Sequence, residues 1–477
     1  MNPPDWHDQT ISDLGQRIRN GNLSPVALTE HYLNRIDSLD GTLNAYRMVC
    51  RERALGEAEA LETSLKAGRD LGPLHGIPYA AKDLFDVKGV PTTAGLHMME
   101  NNTATEDAAV IRKLAQAGMI FLGKTNTVQL AYSGIGINHD HGTPQNPWHR
   151  EPHVPGGSSS GSAVAVASGM IPMALGSDTG GSVRIPAALC GTTGLKTTVG
   201  KISRAGVYPL SWSMDSVGPL TRSVKDAALV YQTIQGLDLN DDSTWAVSFE
   251  DVLSGLKDGV RGLRLAFAET VFWDDLDPEI EKAVRDCGDV FKNLGAHVEC
   301  MELPEAEAAW RLNCKGLIVV AEAYTNNKSL LEEHYDKLDP IIAVRMIRGK
   351  EVLATEYLQN TIEWKRLRAT VLETLKDIDA VIVPTTRIPA LPVDEIDSDM
   401  ETYTARNLDY LRNTSIGNIL NLCGLSVPCG YTQKGLPVGL MIYGKPYRED
   451  MVLRVGFAFQ QATDWHRRNP DLSWVGE

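Results

Sequence analysis

"SAVAVASGMIPMALGSDTGGSVRIP" (residues 162–186) divides into three parts. Small apolar residues from Ser162 to Ala167 have the composition of a buried helix, punctuated by Gly169 and Pro172, and "MALGSD" follows as a short apolar strand. That strand opens into Thr179, Gly180, Gly181 and Ser182, with Arg184 and Pro186 just behind. Helix then strand is the repeating unit of an α/β protein. The glycines around Ser182 raise a second question, because a turn or a helix cap would explain them as well as a site would.

The same unit recurs along the chain. "AAVIRKLAQAGMIFLGKTN" (108–126) reads as helix and strand with Gly118 between them. "LHGIPYAAKDLFDV" (74–87) is a short apolar strand ending at Lys82. Further strands are expected in "GLRLAFAE" (262–269), "AHVECMEL" (296–303), "DAVIVPTT" (379–386) and "GLPVGLMIYGK" (435–445), with a helix in "DPEIEKAVRDCGDVFKNLG" (277–295). Residues 8–68 read as helical, with Asp8 or Thr10 capping a first helix, Ser24 capping a second and Pro25 at its first position. The polar stretch "GLDLNDDSTW" (236–245) is the best candidate boundary, and 300–375 is a helix-rich, charged, cap-like region. No linker is long enough to separate independent domains. The expectation is therefore one domain over 1–477, with a helical segment at 8–68 and a core at about 70–235.

Composition narrows the function. Hydrophobic content of 43% and charged content of 22% fit a globular chain of 477 residues. A net charge of −15 without a run of Lys or Arg argues against nucleic acid or an anionic membrane as a partner. Met1 to Asp8 lacks a basic start and an apolar stretch, so no export leader is expected. The run from Ala163 to Leu175 is broken and too short to span a bilayer. The seven cysteines form no CxxC pair and no metal-ligand spacing, which suggests free thiols in a reducing cytoplasm, with no metal and no cofactor.

Three stretches carry chemistry. Gly180 and Gly181 leave room for backbone N–H groups to converge beside Ser182, where a developing oxyanion could sit, and Asp178 and Arg184 could pair to hold the loop. "VPGGSSSGSAVAVASG" (154–169) reads by itself as a loop capping a helix or an anion cradle. Lys82 reads by itself as a solvated strand end, but a buried lysine loses proton affinity and becomes a usable base near neutrality. A serine hydroxyl needs such a base, and no histidine lies in a GxSxG-type setting. Lys82 and the serines 158–160 are the alternative supply.

Taken together, "GIPYAAKD", "PGGSSSGSA" and "GSDTGGSVRIPAALCGTTGLKTT" resemble the amidase signature family, with "GKTN", "NPW", "SMDSVGPLTRSVKDAA", "DAVIVPTT" and "GLSVPCG" extending the likeness over most of the chain. The resemblance implies a large mixed central β-sheet covered by helices on both faces. It implies a Ser-cisSer-Lys triad of Ser182, Ser158 and Lys82, with a cis peptide at Gly157–Ser158 and the two serines 24 residues apart as in the family. Ser182 would be acylated by an amide, Ser158 would pass its proton to a neutral Lys82, and the amides of Thr179, Gly180, Gly181 and Ser182 would form the oxyanion hole. The assignment of the relay to Ser158 over Ser159 and Ser160 rests on the family's register. Tyr132, Ser133 and Gly134 in "LAYSGIGIN" match a substrate-lining stretch.

The implied function is hydrolysis of a small-molecule amide. A homodimer stays open. Two alternatives are carried: the glutaminase-type component of a tRNA-dependent amidotransferase, which works with a partner chain, and a non-catalytic binding protein on the same scaffold. The glutaminase-type component typically bears an aspartate shortly before its "GLPGISVP" segment. Here Leu411 and Arg412 stand near that place, and no acid is offered.

Overall fold

The first two α-helices of this chain start at capping side chains. Thr10 Oγ1 accepts the Asp13 amide at 3.1 Å and starts the helix Ile11–Arg19. Ser24 accepts from Val26 and Ala27 and starts Pro25–Leu43, with the proline in the first turn where no amide is missed. The computed structural model describes residues 6–476. Met1 to Asp5, part of the segment read for a leader, lie outside the described residues. No helix among those described is long and apolar enough to cross a membrane.

Eleven strands form one mixed sheet. They are β1 (Tyr46–Val49), β2 (Pro78–Lys82), β3 (Ile120–Thr125), β4 (Met173–Asp178), β5 (Thr193–Lys196), β6 (Ser216–Thr221), β7 (Arg264–Ala268), β8 (His297–Met301), β9 (Ala380–Pro384), β10 (Cys423–Tyr431) and β11 (Pro437–Gly444). Their order is β1-β3-β2-β4-β6-β5-β10-β11-β9-β7-β8. β3, β2 and β4 run parallel, as do β9, β7 and β8, and the strands between the two groups are antiparallel.

The period of two along a strand assigns the faces. On β11, Leu440 and Ile442 enter one apolar core while Met441 and Tyr443 enter another. β7 repeats the division, with Leu265 and Phe267 on one side and Ala266 and Ala268 on the other, and so does β9. Both faces are thus buried under helices, as expected of an α/β sheet. Strands from before and after 236–245 share this one sheet, and the stretch 300–375 folds into the helices Pro304–Lys315, Leu317–Asn326, Lys328–Glu333, Pro340–Met346 and Ala354–Thr374.

All seven strands expected from the sequence are present, and four were not foreseen: β1, β5, β6 and β10. β1 is four residues long and interrupts the segment read as helical. β6 and β10 contain Gly218, Pro219, Gly424, Pro428 and Gly430, which demote a strand in any local reading. Here the glycine at 218 permits close approach instead. A Cβ at position 218 would run into the Leu195 carbonyl of β5. We expect Gly218→Ala to destabilise the protein by about 1–3 kcal/mol, read as a lowered midpoint in denaturant unfolding.

Candidate active site

β2 and β4 lie side by side and parallel, so their carboxyl ends meet at one edge. Lys82 closes β2, and Ser177 and Asp178 close β4. The helix Ser160–Ala167 leads into β4 and packs against β2, β3 and β4, which delivers the loop before it, including Ser158, to the same edge. The Gly157–Ser158 peptide is cis. The turn after β4 carries Thr179 to Ser182 and runs straight into the helix Arg184–Cys190.

Lys82 is fully buried. Its Nζ lies 2.7 Å from Ser158 Oγ and 3.0 Å from Ser177 Oγ, and among the described residues no carboxylate is in contact with it. Burial disfavours the ammonium form and brings the pKa from 10.5 down to about 7, against the pull of the Asp215 and Asp178 charges, which favour the proton. Ser159 points elsewhere, its hydroxyl donating to the Ser177 carbonyl at 3.3 Å, and the Ser160 hydroxyl is buried without a partner among the described residues. Of the three serines, Ser158 is therefore the one at the amine. Ser182 is tied to this loop through its carbonyl, which accepts the Ser159 amide at 3.1 Å, while no hydrogen bond joins its hydroxyl to Ser158.

Asp178 and Arg184 pair as the loop reading expected. Arg184 Nε and Nη2 each reach an Asp178 oxygen at 3.0 Å, and both side chains are fully buried. Burial alone would raise the Asp178 carboxyl, but the guanidinium beside it outweighs that and holds it at about 2. Asn418 and Tyr443 complete the network, at 2.6 and 2.9 Å from the guanidinium. Asp178 also accepts the Val183 amide, which pins the chain just past Ser182. Among the described residues, the amides of Thr179, Gly180, Gly181 and Ser182 donate to no protein acceptor. They remain available to a ligand, as an oxyanion hole requires.

The two glycines have different reasons. Gly181 sits at φ +143°, and a Cβ there would collide with Thr414 and with Ile185 Cδ1. Packing and backbone conformation require it, rather than clearance for a substrate. At Gly180 the nearest obstacle is the Leu411 side chain, so a Cβ there would project toward the cavity.

That cavity holds about 480 Å³ and is lined by Ser182, Thr179 and Gly180. Tyr132, Ser133 and Gly134 line it too, and Ser133 is held by Asn407 and Tyr403 at 3.1 and 2.8 Å. The 300–375 region supplies Leu317, Val320 and Arg345, whose guanidinium lies 4.9 Å over the Tyr132 ring. Leu411 faces the cavity, whereas Arg412 turns to Asn413 and the Phe272 carbonyl. A second cavity of about 210 Å³ reaches Ser177 and Asp215.

Sequence reasoning did not single out Ser177, Asp215, Asn407, Asn418 or Tyr443. Ser177 is one of several small residues before the glycine turn, and Asp215 lies in "SMDSVGPL", which bears on the family likeness alone. Asn418 and Tyr443 carry no local signal, since they stand more than 200 positions from Arg184. Nor did spacing suggest a metal cluster, yet the fold gathers His97, Glu100 and His141 with ligand atoms within 4.8 Å of one another. Glu100 there already holds Arg47 at 2.6 Å.

A parallel-edge site of this composition on a large mixed sheet defines an α/β enzyme of the amidase type. The chain belongs to the amidase family: the family model described as Amidase matches residues 27–453. It is 38% identical over 471 residues to an amidase from Pseudomonas putida, covering 98% of each chain. It is 35% identical to the A component of the glutamyl-tRNA(Gln) amidotransferase from Chromohalobacter salexigens, covering 97% of this chain and 98% of that one. Among solved structures it matches, with a TM-score of 0.89 and 30% identity, a chain of a vestigial complex described as revealing the origins of an s-triazine catabolic enzyme, covering 95% of this chain and 98% of that one. The chain is an enzyme that hydrolyses amide C–N bonds.

The buried pair at the turn gives a test of the scaffold. Arg184→Met should cost about 3–5 kcal/mol, because Asp178 would stay buried without its countercharge. Denaturant unfolding should register that loss, and Arg184→Lys should recover part of it.

Proposed function

We propose that this enzyme cleaves a small-molecule carboxylic amide through an acyl-enzyme on Ser182. The observation that carries the reading is the buried, carboxylate-free Lys82 amine at 2.7 Å from Ser158, beside a turn with four free amides. Lys82, neutral above about pH 7, accepts a proton from Ser158, which takes one from Ser182 as that oxygen attacks the carbonyl. The Ser182 hydroxyl closes on Ser158 when substrate is bound, since catalytic hydrogen bonds tighten in the Michaelis complex. The amides of Thr179, Gly180, Gly181 and Ser182 hold the oxyanion, each such donor contributing about 2.7–4 kcal/mol to the transition state. Collapse of the tetrahedral intermediate breaks the C–N bond, and the proton returns through Ser158 to the leaving amine. Water then hydrolyses the ester on Ser182.

The cavity volume suits a compact organic substrate, with Tyr132, Ser133 and Gly134 along its wall. We place the enzyme in a reducing cytoplasm, a reading supported by seven free cysteines, four of them buried. A homodimer and the absence of nucleic-acid or membrane partners belong to the same proposal. The likeness to the amidotransferase components favours a second reading, in which the substrate is glutamine and a partner chain uses the ammonia. Against it stands Leu411, an apolar side chain where an acid would hold the glutamine ammonium.

Lys82→Ala and Ser182→Ala should each lower kcat/KM by roughly 10³-fold or more, and Ser158→Ala by roughly 10²-fold or more, with folding intact. A serine-directed phosphonate should label the wild type and not Ser182→Ala; a wild type that stays unlabelled points to a binding protein. Turnover of glutamine above that of simple aliphatic and aryl amides would favour the amidotransferase reading. The kcat/KM profile of the wild type should rise with pH through about 7, because the amine must lose its proton before it can accept one.

A further inference from the structure

We infer that Asp215 is a positioning residue for this reaction: one carboxylate that orients Thr179 at the start of the oxyanion turn and, from the cavity it shares with Ser177, acts electrostatically on Lys82. The inference rests on the Lys82 relay proposed above.

Asp215 stands just before β6, the antiparallel neighbour of β4, where Asp178 pairs with Ser216. Pairing of the two strands therefore brings residue 215 level with residue 179. One carboxylate oxygen accepts the Thr179 hydroxyl at 2.5 Å, and the other accepts the Leu210 and Ser211 amides at 2.9 Å each. The carboxylate is thus clamped by its own loop on one side and grips the turn on the other. Thr179 is the first of the four residues with free amides, so anchoring its side chain restrains the backbone segment that carries them. Asp215 and Ser177 line the same small cavity, and Ser177 is hydrogen-bonded to Lys82. Ser177 is therefore the shared neighbour of the lysine amine and of the cavity that Asp215 lines.

The charges around this pair are few. Lys82 feels Asp215 and Asp178, and Asp215 is the stronger influence. Burial pushes the Asp215 carboxyl up, while the Thr179, Ser211 and Leu210 donors and the Arg204 charge favour its ionised form. Asp178 is already matched by Arg184 at 3.0 Å. Asp83, next along the chain after β2, is matched by Lys124 at 2.7 Å. Arg204 reaches the Asp215 backbone carbonyl at 3.5 Å, while its Nε is engaged by the Asp241 carboxylate at 3.4 Å. Among these three acids Asp215 alone lacks a cation in direct contact with its carboxylate, so its field reaches Lys82 less compensated than that of Asp178 or Asp83.

Two substitutions separate the two roles. In Asp215→Asn the amide oxygen can take the Leu210 and Ser211 amides while its nitrogen donates to Thr179, so the shape persists and only the charge goes. Loss of a nearby negative charge lowers the proton affinity of Lys82, so the acidic limb of the kcat/KM profile should move down by on the order of one pH unit. Thr179→Val keeps the charge and breaks the tether, so kcat should fall about tenfold with the limb unmoved. Should Asp215→Asn fail to fold, Asp215→Ala is measured in its place, and the pH dependence of phosphonate labelling at Ser182 supplies an independent reading of the same limb. An Asp215→Asn limb that coincides with the wild-type limb overturns the electrostatic role, and wild-type kcat in Thr179→Val overturns the orienting one. A wild type with no limb near neutrality overturns the relay itself, and this inference with it.

Discussion

Burying a lysine amine without a carboxylate beside it is the constraint on which the rest of this structure depends. The contrast lies on the neighbouring strand. Lys124 on β3 is as buried as Lys82, but its Nζ meets Asp83 at 2.7 Å together with the Pro91 carbonyl and Thr92. It is a paired, structural cation. Lys82, one strand away, meets two hydroxyls instead. A charge in that setting is expensive, and the less costly outcome is a neutral amine. The choice of partner therefore makes one lysine a brace and leaves the other an amine with lowered proton affinity, the group proposed above as the base.

The remainder of the site follows from keeping carboxylates near Lys82 but out of contact. Asp178 is bonded in a bidentate pair with Arg184, which also anchors Asn418 and Tyr443 from distant parts of the chain. That network fixes the start of the helix behind Ser182 and gives the glycine turn a rigid support. Such rigidity matters because donors aimed at an oxyanion act only if they are already oriented when charge develops. The turn is held by Asp178 through the Val183 amide, by Asp215 through Thr179, and by Thr414, whose hydroxyl donates to the Gly180 carbonyl at 2.7 Å.

Much of the fold was legible in the sequence because its parallel units are local. Apolar runs closed by glycine or proline gave seven of the eleven strands and the helices between them. β6, which escaped, violates strand preferences at Gly218 because its backbone there passes too close to the Leu195 carbonyl for a side chain. Local preference cannot register a contact with a carbonyl on another strand. The same reasoning separates the two glycines of the turn: both read as room for converging backbone amides, yet Gly181 is required by Thr414 and Ile185, whose side chains leave no space for a Cβ.

The sequence by itself determined the chemistry on offer: a lysine at a strand end, a serine-rich helix entry and a serine behind two glycines, in an order and spacing that resemble one family. Those features are short-range, so they survive in one dimension. Only the tertiary structure decided which of the three adjacent serines meets the lysine, that the acids nearby stop short of that lysine, and that Asp215 grips Thr179 at the start of the turn. These are distances between segments tens to hundreds of residues apart. Burial, which sets the proton affinity of the amine, exists only once the sheet has closed around it.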